Sequence, residues 1–196
     1  MKLIAITTGT FYGNEIKGVT ALFIEGLARL HLRKPKAPKE ELDAWLAAIP
    51  VEYINRIVLH DHFDLAKKYP LGGIHINSRN PHPISQTGSV SRSCHNTNEI
   101  IENKDFDYYF LSPVFNTISK TTYLTTLNLA EVKEAFKNGM GNNVYALGGV
   151  TPQRMSLLKE TGFGGVATLG ALWGEYAGDN DTKALVNRYK LFERML

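Results

Sequence analysis

Eight short apolar runs, rich in β-branched residues, recur along the chain and leave few folds open to it: KLIAITTG at 2–9, RLHLRKP at 29–35, RIVLHD at 56–61, GIHIN at 73–77, SVSRS at 89–93, YYFLSPVF at 108–115, NVYALGG at 143–149 and GVATLGAL at 165–172. Bounded by glycine, proline and polar residues, such runs read as buried strands. Between most of them apolar residues recur at three- and four-residue spacing, most plainly at 129–139, 154–162 and 183–196, the period of a helix with one face on a core. Gly139 and Gly162 stand where helices should stop, and Thr151 before Pro152 makes an N-cap and first-turn pair. The segment 77–88 is polar, carries Pro81 and Pro83, and reads as a loop. Alternating strands and helices imply a parallel sheet with right-handed crossovers. Eight units predict an α/β fold, a (β/α)8 TIM barrel, as a single domain over 1–196. An open five-stranded sheet would leave three of the eight units without a place.

Composition narrows the function classes. A chain of 196 residues, 43% hydrophobic, can bury one substantial core. The net charge of +3 is mild and the basic residues are interleaved with acidic ones, which speaks against nucleic acid and leaves an acidic small molecule open as a partner. Cys94 is the only cysteine, so no internal disulfide forms, and no apolar stretch reaches the length of a membrane span. The expectation is a soluble, cytoplasmic protein, and a homodimer is compatible with it.

In such barrels chemistry sits on the loops after the strand C-terminal ends. Arg33 follows the second strand there and is a candidate for an anion, whereas Lys34, Lys36 and Lys39 read as a solvated turn before a helix starting near Pro38. The seventh and eighth strands end in ALGGVTPQR and GVATLGALWG; Gly148, Gly149, Leu169 and Gly170 are candidates for holding a phosphate, since glycine lets backbone amides approach it closely. The sixth strand runs into SPVFNTISK, whose Ser112, Thr117, Ser119 and Lys120 offer hydroxyls and a compact cation to a phosphate or pyrophosphate. His31, His60, His62, His75 and His95 fall within or at the ends of strands. His31 and His75 have alternating neighbours and read as packed inside the barrel, while His95 is the candidate acid/base group. His60, Asp61 and His62 make a weak metal pattern for want of a third partner. Neighbouring strand residues face opposite ways, which argues against a Cys94–His95 couple.

Taken in order, LHLRKP, IVLHDHFDLA, GIHINSRN, SRSCHNTNEI, FDYYFLSPVFNTISK, ALGGVTP and GVATLGAL resemble the family of thiamine-phosphate synthase and its sister branch, the thiazole tautomerase TenI. The resemblance runs from about Lys2 to Trp173 and is most specific over DYYFLSPVFNTISK. It implies a barrel that binds a thiazole phosphate, with Arg33 on the pyrophosphate of the pyrimidine substrate and Asp61 as a magnesium ligand if magnesium binds. The chain departs from the synthase pattern at His60 and His62 beside Asp61 and at Asn77, which stands at a glycine; two further departures bear on the pyrophosphate side, Pro35 where the pattern has a lysine and Asn80 where it has the second metal-binding aspartate. The synthase needs that metal; the tautomerase needs a phosphate clamp and an acid/base group, His95, but no cofactor. On these departures the sequence ranks the tautomerase first, the synthase second, and a non-catalytic binder of thiamine-pathway phosphates third.

Overall fold

The computed structural model describes residues 1–85, 88–103, 105–116 and 127–196. Its eight strands are all parallel and close a barrel in chain order: β1 Lys2–Ile6, β2 Leu30–Leu32, β3 Ile57–Leu59, β4 Gly73–Ile76, β5 Ser89–Cys94, β6 Tyr108–Leu111, β7 Val144–Leu147 and β8 Gly165–Thr168. Each lies inside or against one of the eight apolar runs. The ring is sealed by β1 on β8, with Lys2 opposite Gly165 and Ala5 opposite Thr168.

Outside the ring run α1 Glu15–Ile24, α2 Lys39–Ala48, α3 Thr97–Glu102, α4 Leu129–Phe136, α5 Met155–Thr161, α6 Gly170–Trp173, α7 Tyr176–Asp179 and α8 Thr182–Glu193. Their inner faces follow the spacing of the sequence: α1 buries Val19, Leu22 and Phe23, and α8 buries Leu185, Tyr189 and Phe192. Each fully buried leucine or phenylalanine of this kind contributes about 1.5–3 kcal/mol. Starts and stops are chemical. The Asn128 side chain accepts from the Ala130 amide and Asp181 from the Ala184 amide, while α5 ends at Gly162 with φ 99°. Thr151 does begin a turn with Pro152 in first place, but the turn is 3-10, over Pro152–Arg154, and the Thr151 side chain makes no cap bond. The helical ring is thinnest after β3, where one 3-10 turn, Phe63–Lys67, stands in for a helix, and after β4, where the described residues hold none.

Strand alternation sorts side chains into two cores. Leu3, Leu30, Leu59, Ile74, Cys94, Leu111, Ala146 and Val166 face the helices, whereas Ile4, Ile6, Tyr108, Phe110, Tyr145 and Ala167 fill the barrel. Glycine at 165 is required there, because a Cβ would lie 2.3 Å from a ring carbon of Tyr145. The remaining interior is polar. His31 Nδ1 and His60 Nε2 are 2.8 Å apart, His31 Nε2 reaches Tyr108 Oη at 2.8 Å, and His75 lies 2.8 Å from both Ser91 Oγ and Ser93 Oγ. The inward placement of His31 and His75 agrees with their alternation; His60 joining them is the addition.

Candidate active site

The strand C-terminal ends form one mouth, and the sequence candidates gather on it in two groups. On the β7–β8 side, Gly148 and Gly149 have φ of 96° and 63°, conformations that suit glycine, and Pro113 comes so close that a Cβ on Gly148 would meet it at 2.9 Å. Val114 and Phe115 donate their amides to Leu147 and Gly148, which lays the loop after β6 along the glycine pair. Ser112 is half-buried beside it, and its carbonyl faces His95. Leu169 precedes α6 and Gly170 opens it, and a Cβ on Gly170 would meet no atom within 4 Å apart from its chain neighbours and its own helix backbone. A cation unremarked in the sequence belongs to this group: Arg154 donates to the Gly149 carbonyl at 2.7 Å and lies 4.3 Å over the Phe115 ring. Thr117, Ser119 and Lys120 lie outside the described residues.

On the β2–β4 side, the Arg33 backbone is pinned to Thr7, whose Oγ1 accepts the Arg33 amide at 2.9 Å. Its guanidinium is half-buried and, among the described residues, takes no hydrogen-bond or ion-pair partner. Burial lowers its pKa from the usual value, helped by the nearby charge of Arg79 and opposed by Asp61. Asp61 is buried at the end of β3 and grips the Arg79 guanidinium: Nε to Oδ1 is 3.1 Å and Nη2 to Oδ2 is 3.3 Å. Asn80 Nδ2 donates to the same Oδ1 at 3.1 Å and to the His60 carbonyl at 3.0 Å. Asp61, Arg79 and Asn80 border a cavity of about 580 Å³ together with His62, Phe63 and Ile84.

This carboxylate does not fit the magnesium role that the resemblance implies for Asp61. Magnesium takes oxygen ligands in a near-octahedral shell. Here each Asp61 oxygen already accepts from an N–H group of the Arg79 cation, and Asn80 gives Oδ1 a further donor. A divalent ion would have to displace a guanidinium. The other metal pattern fares no better: His60 turns into the barrel, and His62 sits at φ 53° with Nε2 2.9 Å from the Ala37 carbonyl.

Lys34 is a correction. The expected solvated lysine is fully buried, its Nζ 2.6 Å from Glu15 Oε1 and 2.7 Å from the Thr10 carbonyl. Trp45 Nε1 donates to the other Glu15 oxygen at 3.0 Å. Burial pushes Glu15 up and Lys34 down, and each is opposed by the other's charge. Lys36 and Lys39 are exposed as expected, Lys39 paired with Asp64.

His95 follows β5 at the mouth, as expected, while Cys94 faces the helices with its thiol pushed up to about 11 by burial. The imidazole is exposed, and its Nδ1 lies 2.8 Å from the Ser112 carbonyl. It borders a second cavity of about 210 Å³ with Asn96, Asn128 and Glu131, separate from the one beside Asp61.

Comparison with known proteins agrees with this geometry. A family profile described as Thiamine monophosphate synthase matches residues 3–172. The chain is 40% identical to thiamine phosphate pyrophosphorylase from Bacteroides thetaiotaomicron, whose crystal structure superposes with a TM-score of 0.89 over 100% of this chain and 97% of that one. Thiamine-phosphate synthase from Desulfitobacterium hafniense is 24% identical over 84% of each chain. A thiamine phosphate pyrophosphorylase from Pyrococcus furiosus, 20% identical with a TM-score of 0.75 over 100% of this chain and 96% of its own, shares the fold. No helix among the described residues is long and apolar enough to cross a membrane. With the barrel, the order of its mouth loops and these matches in agreement, the chain belongs to the thiamine monophosphate synthase family.

Proposed function

We propose that the protein is a thiamine-phosphate synthase, which joins hydroxymethylpyrimidine pyrophosphate to thiazole phosphate. The observation that supports this reading most is the half-buried Arg33 guanidinium, without a hydrogen-bond or ion-pair partner among the described residues, after β2, three strands round the mouth from the Gly148–Gly149 pair after β7. A half-buried guanidinium that makes no hydrogen bond or ion pair, and shares the nearby Asp61 charge with Arg79, favours an anion. Two anion positions on one mouth suit a reaction whose two substrates each bring phosphate. The tautomerase, ranked first on the sequence, needs only the glycine side, and the similar proteins from Desulfitobacterium hafniense and Bacteroides thetaiotaomicron are named thiamine-phosphate synthase and thiamine phosphate pyrophosphorylase.

In this reading Gly148, Gly149, Leu169 and Gly170, with Ser112 nearby, hold the thiazole phosphate, and Arg33 faces the pyrophosphate. The bond from the pyrimidine methylene to the pyrophosphate oxygen breaks, and the thiazole nitrogen bonds to the methylene carbon. Charge gathers on the departing pyrophosphate, so a cation fixed beside it lowers the barrier more than it stabilises the substrate. The ring nitrogen needs no proton transfer to attack, which gives His95 no required part.

The test offers purified protein both substrates and follows thiamine phosphate by chromatography, with the thiazole carboxylate tautomer in parallel. Thiamine phosphate should form, and Arg33→Gln should abolish most of it while the fold survives. Conversion of the tautomer without any thiamine phosphate would restore the tautomerase; neither product, with phosphate still bound, would leave a non-catalytic binder.

A further inference from the structure

The disagreement between Asp61 and a metal role has a counterpart in what surrounds it. Two neighbouring residues of the loop after β4 turn hydrogen-bond donors onto it. Arg79 supplies Nε and Nη2, and Asn80 supplies Nδ2. The loop that carries them is held in place: Asn77 Oδ1 accepts the amides of Arg79 and Asn80 at 3.0 and 3.3 Å, and Asn77 Nδ2 donates to the His60 and His75 carbonyls at 2.8 and 3.0 Å. Asn77 and Asn80 also pair backbone to backbone, at 3.2 and 3.0 Å. Arg79 is thus presented from a tied turn rather than from a loose tail.

The charges do not cancel. Two guanidinium groups, Arg33 and Arg79, lie within electrostatic reach of one carboxylate, Asp61, and the buried histidines behind them are held neutral. One positive charge is left over at the ends of β2–β4. Arg79 spends two of its five N–H groups on Asp61, which leaves the rest for another acceptor. Its side chain is 37% exposed and borders the cavity of about 580 Å³, so a ligand can reach it. A planar guanidinium braced on one side by a carboxylate and open on the other is a ready site for a bidentate phosphate.

Resting on the synthase reading, we propose that Arg79 is a second pyrophosphate-binding residue, and that with Arg33 it supplies the positive charge a divalent cation would otherwise bring, so that pyrophosphate binding by this chain does not depend on such a cation. Asp61 is then a positioning residue: it orients Arg79 instead of ligating a metal.

The experiment measures inorganic pyrophosphate binding by calorimetry, once with a chelator and once with magnesium, on the wild-type chain, Arg79→Gln and Arg79→Lys, with melting temperatures to establish folding. Wild-type affinity in chelator should lie within about threefold of that in magnesium. Arg79→Gln should weaken chelator-phase binding by about tenfold or more, and Arg79→Lys by less, since it keeps the charge and loses the fork. Wild-type binding only with magnesium would overturn the proposal, as would stronger magnesium-dependent binding by Arg79→Gln, which would mean that Arg79 merely blocks Asp61. The two readings fail separately: strictly magnesium-dependent synthesis of thiamine phosphate sinks this inference and keeps the synthase, whereas metal-free pyrophosphate binding without synthesis does the reverse.

Discussion

Lowering the pH from 7.5 to 5.5 should weaken the fold by up to about 4 kcal/mol, through the three histidines inside the barrel. Burial lowers the pKa of His31 and His60 well below the ordinary value, and that of His75 to about 3. In the unfolded chain each titrates near 6.5. A base with a depressed folded-state pKa adds stability above its unfolded pKa and loses it as the pH falls, because the unfolded chain takes up protons that the folded barrel refuses. At pH 5.5, one unit below the unfolded value, each histidine tilts the balance toward unfolding by about 1.4 kcal/mol. Three independent sites give about 4 kcal/mol. Glu15, pushed up by burial, works in the opposite sense on the same descent, so this figure is a ceiling. The loss begins near pH 6.5 and for His75 continues to about 3. Urea unfolding at the two pH values reads it directly, and in His75→Gln the difference should shrink by about a third, whatever that variant's stability at pH 7.5. A wild-type change below about 1 kcal/mol would refute the reasoning, since the histidines would then be protonated in the folded barrel too.

Lys34→Met should cost about 3–5 kcal/mol in urea unfolding, because it strands Glu15 with no counter-charge, and adding Glu15→Gln should recover most of that loss while keeping an acceptor for Trp45; a single-variant cost under about 1 kcal/mol would mean that water reaches the pair. His95→Asn should lower thiamine phosphate formation by less than tenfold, since attack by the thiazole nitrogen requires no proton transfer; a fall of about 10² to 10⁴ in conversion of the thiazole tautomer would give the imidazole the acid/base part after all.

The barrel was legible because its signals are local. Apolar runs, glycine stops and three-to-four spacing each lie within a dozen residues, and the inward turn of His31 and His75 follows from simple alternation. What escaped depends on partners distant in sequence. Lys34 sits in RKPKAPKEE, which looks solvated, and only α1 packing beside β2 delivers Glu15 to it. Arg79 lies in a polar loop with nothing to single it out until β3 pairs with β4 and brings Asp61 alongside. A usable clue was present: an arginine three residues past the end of one strand, and an aspartate two residues past the end of its sheet neighbour. The immediate neighbours of Asp61, His60 and His62, say little about its chemistry, because the groups that decide it are 18 and 19 positions away.

The seam between β1 and β8 also governs how the chain can be made. Of the eight strands, Lys2–Ile6 is made before the others and finds one of its two neighbours only when Gly165–Thr168 has followed. Until then the growing sheet has two raw edges, each a row of unpaired amides and carbonyls able to pair with another chain. Every strand of the barrel must therefore be synthesised before either edge is capped, and chains stalled or cut short of β8 should be a far greater aggregation hazard than the finished ring.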